Sequence, residues 1–421
     1  MERPSDETIP PVSESHHPLI QSVSEEARVT PIELFFDLVF VFSLTRVTAL
    51  MAHEPMSVTG LARGLLVLAL LWWCWVGFAW LGNVVRADEG VGRIAMFGAM
   101  AATFVLALSV PEAFDDKAGG LSGPVVFAVA YLAVRILHLA IFLLASGDDR
   151  GLRRQVWRFS LSVLGSTALL LVASQMDGTA QTLTWVGVVV ADYVGTILAG
   201  ASGWRLNSAA HVAERHGLVI IVALGESIVA IGVGVVGLPI SMPIIGAAVL
   251  GLTVSGCVWW AYFDVVAILA ERVLRRVDGE ERARLARDAY SYLHLPMVAG
   301  IILMALGLKL VIEHVGDLTV RQADPLPPLA LAAMFGGAAL YLLADVAFRY
   351  RVWRRITVQR VVVAALLIAL IPVGDEIPAL AALGVLTAVM VCLIALEAVR
   401  FSEFRERVRH EDDEARVGEG G

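Results

Sequence analysis

Apolar residues in this chain come in long unbroken runs separated by short polar connections. The runs fall near 32–50, 61–82, 94–111, 124–145, 156–175, 182–200, 216–236, 243–269, 291–313, 327–348, 357–373 and 378–399. A helix needs about 20 apolar residues to cross the hydrocarbon of a bilayer. Inside lipid each backbone polar group must find a partner within the protein, which a helix supplies from its own segment. Runs such as LARGLLVLALLWWCWVGFAWL (61–81) lack the alternation of an outer-membrane barrel strand. The pattern predicts an all-α polytopic membrane protein with about twelve transmembrane helices.

Composition agrees. The 421 residues are 58% hydrophobic and 17% charged, with a mean hydropathy of +0.75. A soluble chain this apolar would lack the polar surface to cover itself, so the lipid bilayer is the expected partner. Charge then sets the orientation. With the amino terminus in the cytoplasm, 26 of the 32 Lys and Arg fall on the cytoplasmic side and 3 on the other. Positive residues concentrate on the inner side of inner-membrane proteins, so both termini are expected in the cytoplasm of a bacterial inner (plasma) membrane. The net charge of −8 owes much to the tails and points to no nucleic-acid partner. Residues 1–28 are polar and lack a basic lead followed by an apolar core, so they read as a disordered cytoplasmic tail and not a cleaved signal. Residues 401–421 read as a charged cytoplasmic tail. The three cysteines, Cys74, Cys257 and Cys392, lie in apolar runs and read as small core residues. His16-His17 reads as a solvated pair, and no cofactor is expected.

The halves echo each other. LLWWCWVGFAWLGN (70–83) has a counterpart in SGCVWWAYFDVVA (255–267), and the basic lead RRQVWR (153–158) in RRITVQR (354–360). A shift of 187–189 positions brings Asp37 within a residue or so of Glu226. Six crossings return a chain to its starting side, so a duplication would give two parallel six-helix repeats, over 29–205 and 206–400.

Ionisable groups within apolar runs narrow the chemistry, because a charge at mid-bilayer costs about 2.5–3.5 kcal/mol on insertion scales. The deep acids are Asp37, Asp192 and Glu226, and the deep bases Arg46, Arg135 and Lys309. Nearer the inner surface lie Glu33, Asp264, His294 and Asp345, and His138 follows Arg135 on one helix. Glu33 and Asp37 are four residues apart and share a helix face. Two carboxylates so close in low dielectric either hold a proton between them or need a cation, so the pair is a proton- or ion-binding candidate or a helix lock. His211, Glu214 and His216 open the seventh run as a cytoplasmic mouth; their spacing is not that of a metal pair, and no metal is expected. Gly225 beside Glu226 is expected to let a neighbouring helix or an ion approach closely. GVGVVG (232–237) has no strand before it, so it reads as helix packing and not a nucleotide loop. Trp72, Trp73, Trp75, Trp80, Trp259 and Trp260 read by default as packing and interfacial anchors. No nucleophile–base pattern appears, which weighs against an enzyme.

VTPIELFFDLVFVFSLTRVT (29–48), ERHGLVIIVALGESIVAIG (214–232) and Tyr-x-His-Leu-Pro-Met (292–297) together resemble the bacterial low temperature requirement A protein family, over roughly 29–400. The resemblance implies a multi-pass inner-membrane protein and puts Glu33, Asp37, Glu214, His216 and Glu226 in motif positions. A weaker likeness ties the first run to a potassium-channel family with a Phe-Ser-Asp motif, but Phe36 stands where that motif has Ser, and the second half carries Gly-Glu-Ser. The functional expectation is an ion- or proton-coupled transporter of protons or small ions, acting alone or as an oligomer, with Asp37 and Glu226 meeting in a wet space between the halves. The alternatives are a cation channel and a non-transport membrane protein acting in cold adaptation.

Overall fold

The computed structural model describes residues 23–53, 55–400 and 402–403. His16-His17 and nearly all of the charged 401–421 stretch lie outside them. The described chain is helical: α1 Pro31–Met51, α2 Val58–Gly82, α3 Gly90–Ser109, α4 Gly123–Ser146, α5 Arg150–Ala173, α6 Gly178–Ala199, α7 Ala209–Val235, α8 Met242–Phe263, α9 Val266–Arg275, α10 Gly279–Leu285, α11 His294–Gly316, α12 Pro328–Trp353, α13 Val358–Gly374 and α14 Ala379–Arg400. Polar residues in the short connections cap them. Thr30 and Glu33 form a capping box ahead of Pro31 at the start of α1. Ser57, Asp149 and Ser208 accept first-turn amides of α2, α5 and α7.

Among the described residues, eleven helical segments are long and apolar enough to cross a membrane, while α13, at 17 residues, is shorter. It occupies the eleventh of the twelve expected runs. The run expected at 243–269 is broken: α8 ends at Phe263, and α9 starts afresh at Val266. The stretch 271–288, expected as a loop, is mostly helix, with α9 and α10 meeting at a turn near Asp278. A π-helical turn, Ala286–Tyr292, then carries the chain to α11. Residues 23–28, placed in the tail from the sequence, lie against the bundle: the Val23 amide donates to the Val84 carbonyl at 3.3 Å, and Ser208 Oγ to the Ala27 carbonyl at 2.9 Å.

Packing runs α2, α3 and α7 against α1, then α3 on α4, α4 on α5 and α5 on α6. In the second half α7 packs on α8 and α11, α11 on α12, α12 on α13, and α8 on α14. The core sits around α2, where 83% of the most apolar window is buried, against 22% in the peripheral α6. The α11–α12 contact is the tightest. A Cβ on Gly300 would come within 2.7 Å of the Gly337 carbonyl, and glycine alone permits that approach. Gly225 meets no such neighbour, since a Cβ there would touch nothing within 4 Å. Gly234 of the GVGVVG string does face a packed helix, since a Cβ there would lie 3.0 Å from the Lys309 carbonyl.

Candidate functional site: a buried charge cluster between α1 and α7

Because α7 begins at Ala209, the string HVAERHG forms its first two turns, and His211 and Arg215 fall on one face. That face meets the Glu33–Asp37 face of α1. His211 Nε2 lies 2.9 Å from Glu33 Oε1. The other Glu33 oxygen accepts from the Thr30 amide and hydroxyl, each at 2.9 Å. Arg215 Nη1 donates to Asp37 Oδ2 at 2.8 Å and to the Glu33 carbonyl at 3.0 Å. Trp75 Nε1 of α2 donates to Asp37 Oδ1 at 2.8 Å, and the Arg215 guanidinium stands 5.2 Å over the Trp75 ring. All four charged or titratable groups are buried. Arg215 Nε lies 3.9 Å from Glu33 Oε1, outside hydrogen-bond reach, and neither Nε nor Nη2 has a partner.

A second ring of polar groups holds this cluster. Asn83 Nδ2 donates to the Ser208 carbonyl at 2.6 Å and lies 3.4 Å from His211 Nδ1. Asn83 Oδ1 accepts the Asn207 amide at 2.6 Å. Gly82 is required beside it, since a Cβ would run into the Glu33 carboxylate. Glu214 points away from the cluster and accepts the Val29 amide at 3.1 Å. His216 turns from His211 toward Trp72, Trp75, Tyr290 and His294; its Nδ1 bonds the Val212 carbonyl at 2.8 Å, and its buried Nε2 has no partner.

Asp37 and Glu226 do not converge, contrary to the expectation from the repeat register. Across the parallel α1–α7 seam Asp37 faces Arg215, while Glu226 faces Thr45, eight residues further along α1 and about 12 Å up its axis at 1.5 Å per residue. Thr45 Oγ1 lies 2.5 Å from Glu226 Oε2 and 3.3 Å from the Val41 carbonyl.

The other deep charges settle elsewhere. Asp192 and Arg135 pair at 3.1 Å, and Tyr131 donates its hydroxyl to Asp192 at 2.5 Å. Lys309 pairs with Glu313 one turn on, at 3.3 Å, and not with an acid of another helix. Arg46 stands 5.9 Å over the Phe42 ring with its Nε unpartnered, and is not drawn into the cluster. Asp345 is held by Arg360 at 2.6 Å and Arg349 at 2.8 Å, and Arg360 also binds Glu397. His294 bonds Tyr262 at 2.9 Å. Trp72, Trp73 and Trp75 are buried, whereas Trp259 and Trp260 are 46% and 41% exposed.

Arg215 and Asn83 are not singled out by the sequence, and Trp75, read there as a packing residue, also donates a hydrogen bond to Asp37. Arg215 fell one residue ahead of the expected seventh run and was counted with the loop cations. The helical spacing of His211 and Arg215, matched to that of Glu33 and Asp37, was the signal that could have found it.

Apolar helices packed round buried ion pairs define a multi-pass helical membrane protein. Within that class the chain belongs to the bacterial low temperature requirement A (LtrA) family, whose model matches residues 28–395. It is 27% identical over 353 residues to an uncharacterized protein of Rhizobium meliloti (strain 1021), a match that spans 79% of this chain and 80% of that one. No solved structure matches it.

Proposed function

We propose that this protein is an ion- or proton-coupled transporter of a small solute in the bacterial inner membrane, with both termini in the cytoplasm. The α1–α7 cluster is its coupling element. The observation that carries this reading is Arg215, held by one half of the chain's acids while belonging to the other half, with two of its nitrogens unpartnered. Charges in membrane spans are costly to bury, and a packed apolar contact would join two halves at less expense.

The cluster also balances as a proton site. Glu33 and Asp37 set two carboxylates against the single guanidinium of Arg215. One proton taken up by the carboxylates brings these three groups into balance. Arg215 can then shift its hold between Asp37 and Glu33 as the halves move against each other. The duplication reading is supported by matching neighbours: α1–α2, α1–α3, α3–α4, α4–α5 and α2–α6 correspond to α7–α8, α7–α11, α11–α12, α12–α13 and α8–α14. The asymmetry of basic residues supports the orientation.

The test is flux. Purified protein in liposomes holding a pH-sensitive dye is given inward gradients of a broad panel of osmolytes, amino acids and inorganic ions. At least one solute should drive proton movement, and Glu33→Gln and Asp37→Asn should each abolish it while still inserting. Normal coupled flux in both variants would defeat the proposal.

A further inference from the structure

A groove opens beside α7 where the chain passes from α8 to α9. Its volume is about 580 Å³, and its accessible wall is polar as well as apolar. Leu218 and Ile221 of α7, Phe263 of α8 and Ile268 of α9 form the apolar part. The charged part is Arg28, just ahead of the α1 cap, with Glu214 of α7 and Glu271 of α9. The groove straddles the edge of the membrane. The apolar run of α7 begins at 216, so Glu214 stands just outside it. Ile221 lies two turns further along α7, about 10 Å up the axis at 1.5 Å per residue, and is 46% exposed on the lipid-facing side.

The charges at the mouth are arranged as a separated pair. Arg28 is exposed, and among the described residues it forms no ion pair. Glu214 spends Oε2 on the Val29 amide at 3.1 Å and leaves Oε1 to the groove. Arg28 and Glu214 line one groove without pairing with each other, so each keeps its charge for a ligand. Glu271 is balanced by Arg275 at 2.8 Å and adds a second carboxylate on the Glu214 side. The matching ligand carries an anion for Arg28, an N–H cation for Glu214 and an apolar body for the wall beneath. A guanidinium suits a phosphate, and a carboxylate gains a charge-assisted hydrogen bond from a primary ammonium. An anionic lipid would set like charge against Glu214, and a choline head has no N–H to give it.

We infer that this groove binds a phospholipid with a primary-amine headgroup, its phosphate on Arg28, its ammonium on Glu214 and its acyl chains along Leu218, Ile221 and Phe263. The inference is independent of the transporter reading, since its test measures no flux. The test is native mass spectrometry of the detergent-solubilised full chain, titrated with phosphatidylethanolamine, phosphatidylcholine and phosphatidylglycerol of identical acyl chains. One phosphatidylethanolamine should bind about tenfold more tightly than either of the others, the worth of one hydrogen bond to a charged group. Arg28→Gln and Glu214→Gln should each reduce that ratio to near one; Gln at 214 still accepts the Val29 amide. Arg158→Gln, on α5 and away from the groove, should leave it unchanged. The ratio is read within each variant, so a general loss of stability does not imitate the effect. Equal affinity for the three lipids, a preference for phosphatidylglycerol, or a preference that survives both groove substitutions would overturn the assignment. So would displacement by equimolar soluble phosphoethanolamine, which would give the site to a solute the size of the headgroup. Binding gained only when residues 1–22 are deleted would give the groove to the chain's own N-terminal segment and overturn it equally.

Discussion

Removing the Arg215 guanidinium isolates the energetic role of the cluster. In Arg215→Met, Asp37 keeps only its bond from Trp75, and Glu33 keeps Thr30 and His211. Two carboxylates one helical turn apart then share a dry seam without a cation. Breaking a buried ion pair by deleting one partner costs about 3–5 kcal/mol. Loss of the stack over Trp75 adds about 0.5–2 kcal/mol. Against a total stability of roughly 5–15 kcal/mol, the variant should be severely weakened. Arg215→Met combined with Asp37→Leu removes both charges and should recover most of the loss. The measurement is equilibrium unfolding in mixed micelles of increasing SDS fraction, followed by tryptophan fluorescence, for wild type, both single variants and the double. A coupling energy above about 2 kcal/mol is expected for residues in direct contact. If Arg215→Met costs less than about 1 kcal/mol and the cycle shows no coupling, Arg215 and Asp37 do not form the pair on which the seam is built.

Other expectations follow from the same contacts. Gly300→Ala and Gly337→Ala force a Cβ into backbone at the α11–α12 crossing and should each cost about 1–3 kcal/mol. Gly225→Ala and Gly336→Ala meet nothing within 4 Å and should be near neutral, all four compared by melting in detergent. Arg360→Met removes the cation shared by Asp345 and Glu397 while Arg349 still holds Asp345, and should cost about 1–3 kcal/mol, with a matching fall in the yield of folded protein on size-exclusion chromatography. Trp72→Phe releases the Ser291 carbonyl and should speed amide exchange across 286–292 without changing exchange in α4, as read by mass spectrometry.

Most of the architecture is legible in the apolar runs, because length and composition alone decide whether a segment suits hydrocarbon. Breaks inside apolar stretches are not. The sequence AYFDVVAIL is apolar on both sides of Asp264, and one acid in an apolar run does not distinguish a buried charge from the end of α8 and the new start at Val266. The reverse holds at 271–288, where many charges suggest a loop; yet Glu271–Arg275 and Glu280–Arg284 sit at i,i+4 and support helix. For the site, the Glu33–Asp37 face was legible because both acids lie within an apolar run. Its cation was hidden by a boundary: α7 extends seven residues ahead of its apolar run, and Arg215 lies in that extension. The Arg135–Asp192 pairing needed the approach of α4 to α6, which no local pattern contains.

The account stands on the claim that the α1–α7 carboxylates exchange a proton while the protein works. Infrared difference spectroscopy of the reconstituted protein, recorded as external pH is stepped through the physiological range, observes this directly. The account predicts a carboxyl C=O band that appears on acidification and is lost in Glu33→Gln or Asp37→Asn. A wild-type spectrum with no carboxyl change, or a band untouched by both substitutions, would contradict it.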